Sequence, residues 1–133
     1  MACIALRVPT VVPDQNNLPG GYCYIIFDWP VISVRDLIAE KVRAELRKVR
    51  IGGPEACSLH LLINADEGEI KDDPLSEVLA IEQAWAAFDK GHYLLLVDGR
   101  PMSHTDENIM VTRRTSILFL VPAAKHGTEV SVA

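Results

Sequence analysis

Four pieces near the end of the chain decide the fold: Tyr93–Met102 (Y-L-L-L-V-D-G-R-P-M), Asp106–Thr115 (D-E-N-I-M-V-T-R-R-T), Ser116–Val121 (S-I-L-F-L-V) and Pro122–Gly127 (P-A-A-K-H-G). The run Tyr93–Val97 is too short for a helix. Asp98-Gly99 comes next, and both residues tolerate positive φ, which makes the pair a strong hairpin-turn signal. Arg100-Pro101-Met102 then begins a return strand. Ser103–Thr115 is polar apart from Ile109, Met110 and Val111, and Ser116–Val121 is apolar on both alternating faces, the pattern of a central strand covered on each side. A proline and small or polar residues come last, with little to bury.

Working outward from this segment, Leu75–Lys90 places Leu75, Val78, Ile81, Trp85 and Phe88 at helical steps, with Asp73-Pro74 as N-cap and first helical residue and Gly91 as the stop. Ala56–Ala65 (A-C-S-L-H-L-L-I-N-A) fits either a short strand or a hydrophobic turn. Ahead of it, Ser33 and Asp36 form a near capping box opening a helix that runs to Gly52-Gly53-Pro54. Val34, Ile38, Val42, Leu46 and Val49 share one face of that helix. The opposite face is assigned Arg35, Glu40, Lys41, Arg43, Glu45, Arg47 and Lys48. The basic residues of its last turns complement the helix dipole and form a solvated face more readily than a binding patch. Tyr22–Phe27 (Y-C-Y-I-I-F) has the aromatic and β-branched composition of a strand. Cys3–Val8 reads as another strand that Pro9 stops, and Pro9–Gly21, crowded with Pro, Asn and Gly, reads as a long connection.

The 133 residues, 49% hydrophobic and 23% charged, suffice for one domain with its own core. A net charge of -5 argues against phosphate-backbone binding as the main function, because such proteins carry a dominant basic face. Cys3, Cys23 and Cys57 are odd in number and lack C-x-x-C spacing, which points to reduced thiols in a cytoplasmic setting. No run approaches the ~18 apolar residues of a membrane span, and Met1–Thr10 lacks the features of a signal peptide, so a soluble, intracellular protein is expected. His60, His92, His104 and His126 are scattered, and no metal-ligand spacing, G-x-S-x-G elbow or phosphate loop is present. No catalytic residue, cofactor or metal is therefore expected.

The order strand, strand, helix, strand, turn, strand and free tail resembles the β-grasp fold of ubiquitin and its relatives. The residues that carry the resemblance are Y-L-L-L-V-D-G-R-P-M and, after the polar linker, V-T-R-R-T-S-I-L-F-L-V, with Val111 six positions before Ile117. The tail F-L-V-P-A-A-K-H-G looks like the end of the sulfur-carrier branch, although His126 stands where that branch has a glycine. The pattern is most similar to ubiquitin-like modifiers of bacterial ubiquitination-like pathways. The resemblance implies an α+β fold, a β-grasp sheet packed on a helix, with Leu75–Lys90 as an inserted second helix. It divides the chain into a domain over 1–121 and a flexible tail over 122–133. It also implies a protein modifier cut by a processing peptidase between Gly127 and Thr128, beside His126. An E1-like activating enzyme and an E2-like conjugating enzyme would then pass it to a target protein. A glycine end suits that chemistry because it has no side chain to obstruct a narrow channel. Met102, Met110, Arg113 and Arg114 are candidate partner contacts, set against core filling for the methionines and solvation for the arginines. The alternatives are a non-conjugated interaction module that offers its sheet face, and a sulfur carrier.

Overall fold

The computed structural model describes residues 3–12, 21–52, 59–63 and 74–122. In chain order the elements are β1 (Ile4–Val11), β2 (Tyr22–Phe27), β3 (Val31–Ser33), α1 (Val34–Gly52), α2 (Leu59–Leu62), α3 (Pro74–Asp89), β4 (Leu94–Val97), β5 (Arg100–Pro101), β6 (Asn108–Met110) and β7 (Ile117–Leu120). Five strands form one mixed sheet in the order β2-β1-β7-β4-β5, and β3 and β6 form a separate two-stranded ribbon. Within the large sheet β1 and β7 run parallel, while the β1/β2, β7/β4 and β4/β5 pairs are antiparallel. The last strand is therefore central.

One face of this sheet is the core. Leu6, Val8, Cys23, Ile25, Phe27, Leu95, Val97, Ile117 and Phe119 alternate inward along their strands and are buried against Val34, Leu37, Ile38, Val42 and Leu46 of α1. Val49, the last member of that helical stripe, is only half-buried. The N-terminus of α1 is capped twice over. Ser33 Oγ accepts from Asp36 N at 3.0 Å, and the carbonyls of Glu107 and Thr105 accept from Val34 N and Arg35 N at 2.8 and 2.9 Å. These contacts satisfy amides that have no partner within the helix.

α3 lies along α1, locked by Trp85, whose Nε1 donates to Arg35 O at 3.0 Å while the Arg35 guanidinium stacks 3.8 Å from the indole centroid. Its end is a Schellman cap: Gly91 N donates to Phe88 O, His92 N donates to Ala87 O, and Gly91 takes φ +75°. Tyr93 then turns back under the helix, donating from its hydroxyl to Ala84 O at 2.7 Å and packing between Phe88 and Phe119. The β4–β5 hairpin turns at Asp98 and Gly99, both at positive φ, and Asp98 Oδ1 accepts from Ser116 N at 2.9 Å, fixing the start of β7.

Several expectations are corrected. Pro9 does not end β1, which continues to Val11. Thr10 N points to β2, where Gly21 O accepts it, so alternation aims the N–H that Pro9 lacks toward β7, whose pairing starts only at Thr10. The described part of Ala56–Ala65 is the single helical turn α2, not a strand, with Leu59, Leu62 and Ile63 in the core. α3 buries Ala80, Ile81, Ala84, Ala87 and Phe88, whereas Leu75 and Val78 face solvent. The small alanines line the buried stripe of α3, and Glu77 in its first turn still reaches Arg43 of α1 at 3.3 Å.

Lys41 and Glu45, expected on the solvated face of α1, are both fully buried. Their side chains pair at 2.8 Å, and Lys41 Nζ also donates to Val8 O at 3.1 Å and lies 3.5 Å from Cys23 Sγ, beneath the Phe119 ring. The ammonium thus ties α1 to the strands below it. Burial pushes the Cys23 thiol up, against an opposing pull from Lys41. Among the described residues, no helix is long and apolar enough to cross a membrane.

Candidate functional site

The outer face of the five-stranded sheet is built from the residues that alternate with the core. On β2 these are Tyr22, Tyr24 and Ile26, exposed opposite Pro9, Arg7 and Ala5 of β1. On β7, Leu118 faces Leu96 of β4, and Leu120 sits between Val11 of β1 and Leu94 of β4. Pro101 continues the row beyond Leu96. Opposed residues share a face, so these side chains make one apolar surface across five strands. No described helix packs on it. Tyr24 is 59% and Ile26 64% exposed, and Leu118 and Leu120 are half-buried, so among the described residues the central strand is covered on one side only, not on both as its apolar pattern predicts. A charge is set into this surface by Arg7, whose guanidinium rests 4.6 Å from the Tyr22 ring centroid, with Tyr24 edge-on to Tyr22 at 5.6 Å. Aromatic and aliphatic side chains around a ring-stacked cation suit protein contact.

A second recess lies beneath the Phe27 end of β2. It is a groove of about 710 Å³ between β3, α1 and α3, walled by Trp29, Val31, Arg35, Val78, Glu82 and Trp85 among others. Arg43 on its floor is held by Glu40 at 2.6 Å and Glu77 at 3.3 Å.

The sequence-predicted contact residues are not brought together on the outer sheet face. Met102 is half-buried against the core. Met110 is 69% exposed on β6, opposite Val31 in the two-stranded ribbon. Arg113 and Arg114 are exposed in a turn that Thr112 and Thr115 close, with Thr115 Oγ1 accepting from Thr112 N at 2.8 Å and Thr112 Oγ1 accepting from Arg114 N at 3.1 Å. Gly127, His126 and Thr128 lie outside the described residues, as does the tail from 123 onward. The outer-face residues that sequence reasoning missed carried a signal nonetheless: Y-C-Y-I-I-F alternates between two equally apolar sets, and only the set containing Cys23 faces α1.

The exposed Cys3 thiol donates to Asp28 Oδ1 at 3.2 Å, and that bond and carboxylate raise its pKa. The Glu107 carboxylate is held below the ordinary range chiefly by the backbone N–H of His104, then by that of Ser103. Among the described residues, no group of three or more His, Cys, Asp or Glu is placed to hold a metal ion. Compared with protein-family models, curated proteins and solved structures, the chain matches none.

Proposed function

We propose that this chain is a ubiquitin-like β-grasp protein modifier, trimmed after Gly127, activated by an E1-like enzyme as an acyl adenylate and transferred by an E2-like partner to a target protein. The observation that carries this reading is the position of β7. The strand is central, parallel to β1, with α1 packed on one side, and it hands the chain at Pro122 directly to the glycine-bearing segment. α3 is an insertion on that plan, docked on α1 away from the outer sheet face. Intact-mass measurement of the full chain co-expressed with its neighbouring genes tests the proposal. Loss of residues 128–133, or a covalent adduct through Gly127, is the expected result, and recovery of only the unmodified 133-residue species overturns it.

The uncovered apolar sheet face favours a second reading, a non-conjugated module that docks on a partner through Tyr24, Ile26 and Leu118. Deleting Thr128–Ala133 would then leave partner binding intact, whereas Tyr24→Asp would abolish it. Under the modifier reading, the deletion mimics processing and Gly127→Asp blocks transfer.

A further inference from the structure

From the groove between β3, α1 and α3 we infer a docking site for a basic segment of a partner protein, one that alternates Lys or Arg with bulky apolar anchors. This inference stands apart from the chemistry of the C-terminal glycine. The groove is open to solvent and partly apolar: Trp29 is 67%, Ile26 64%, Val78 53% and Val31 46% exposed along its walls. Leu75 and Leu79, also exposed, extend the Val78 stripe along α3. So much exposed apolar wall fits side-chain anchors of a surface segment better than an enclosed small molecule.

The charge of the walls selects the sign of the ligand. Four carboxylates, Asp28, Asp36, Glu40 and Glu82, line the groove against two guanidiniums, Arg35 and Arg43. Both cations are already engaged. Arg43 is held by Glu40 and by Glu77 from α3, and Arg35 is stacked on Trp85. Setting Glu40 against Arg43 leaves Asp28, Asp36 and Glu82 against Arg35, so the lining is net negative. The exposed indole of Trp29 adds a face on which an ammonium or guanidinium can rest. Acidic rim and indole both favour a cation, and Ile26, Val31 and Val78 favour the apolar residues beside it. A second copy of this chain, at net charge -5, meets long-range repulsion there, and a nucleic-acid backbone meets the same repulsion more strongly.

The test uses the full chain and two fluorescein-labelled peptides of equal length, one alternating Lys/Arg with Leu/Trp and its twin carrying Glu at every basic position. Fluorescence anisotropy at low salt should give the basic peptide a Kd of roughly 10–100 μM, with the acidic twin at least about tenfold weaker. Glu82→Lys, which reverses a rim charge, and Trp29→Ala, which removes the platform, should each weaken binding about fivefold or more. Asp89→Lys makes the same charge change on α3 outside the groove and should leave binding within about twofold; all three positions are exposed, so folding is retained. Equal binding of the twins, an equal loss in Asp89→Lys and Glu82→Lys, or sedimentation showing that a second copy occupies the groove would each overturn the inference.

Discussion

The buried Lys41–Glu45 pair gives the sharpest test of how this fold is held. Both side chains are fully excluded from solvent, and the ammonium is shared among Glu45 Oε2, Val8 O and Cys23 Sγ. Glu45→Ala leaves the Lys41 ammonium uncompensated in the core, which costs about 3–5 kcal/mol. Lys41→Ala takes a donor from the Val8 carbonyl but leaves Glu45 with Lys48 at 3.5 Å, so its cost lies at the lower end of that range. Against a total stability of about 5–15 kcal/mol for a domain, such a loss is large. The double variant Lys41→Met/Glu45→Leu removes both charges and refills the volume with apolar atoms, so it should lie within about 1 kcal/mol of the parent or above it. Urea unfolding monitored by the fluorescence of Trp29 and Trp85 reads the difference. With m near 2 kcal/mol/M, each single variant should lower the midpoint by roughly 1.5–2.5 M at unchanged m, and the double variant should restore it. Single variants that cost less than about 1 kcal/mol, or a double variant as damaged as the sum of the singles, would refute the claim that mutual charge compensation holds the pair in the core.

Three further outcomes rest on named contacts. Gly99→Ala should destabilise the protein by about 1–2 kcal/mol, because φ +82° is costly for any residue with a Cβ, although no neighbouring atom lies within 4 Å of the added methyl; an unchanged midpoint in the same urea assay would contradict this. The Glu107 carboxylate has a lower pKa folded than unfolded, so its support for the 103–107 loop is present above the ordinary glutamate value of about 4.3 and is lost as pH falls through the folded value. The Ser103 and His104 amide resonances should therefore titrate with a midpoint below that value and lose the transition in Glu107→Gln. In a Cys57→Ser background, a thiol reagent should modify exposed Cys3 in the native protein and reach buried Cys23 only on unfolding. Equal native rates for the two thiols would show that the β2–α1 seam opens readily.

Much of the architecture was legible because local and tertiary preferences agree. Ser33 caps α1, Asp98-Gly99 turns the hairpin, Gly91 ends α3, and Phe119 sits in a central strand, each for the reason its residue type supplies. Where the reading failed, long-range partners decided. Nothing in R-D-L-I-A-E-K-V-R-A-E-L distinguishes Lys41 and Glu45 from the other charges of α1, because their burial depends on Val8 and Cys23, which lie far away in the sequence. The β3–β6 ribbon pairs three residues just ahead of α1 with Asn108, Ile109 and Met110 from an otherwise polar connection, and neither segment has strand length on its own. Leu75 and Val78 fit the helical period of α3, yet the alanines at 80, 84 and 87 set the buried stripe by allowing α1 close. The candidate surfaces were legible only in part, since periodicity places Tyr24 opposite Cys23 without saying which of the two meets the helix.

The two surfaces and the exit of the chain are arranged along the strands rather than gathered at one place. β1 pairs with β2 from Ile4, opposite Phe27, to Pro9, opposite Tyr22, and with β7 at Thr10 and Val11. The groove lies at the Phe27 end, while β7 passes Val11 of β1 and reaches Pro122 at the other end. At about 3.3 Å per residue, the seven steps from Ile4 to Val11 separate the two by roughly 23 Å. The outer apolar face spans the distance between them. A segment seated in the groove is therefore held away from the Pro122 end of β7. α3 makes this possible, because it supplies Val78, Glu82 and Trp85 to a groove that the sheet and α1 alone would leave as an open slope.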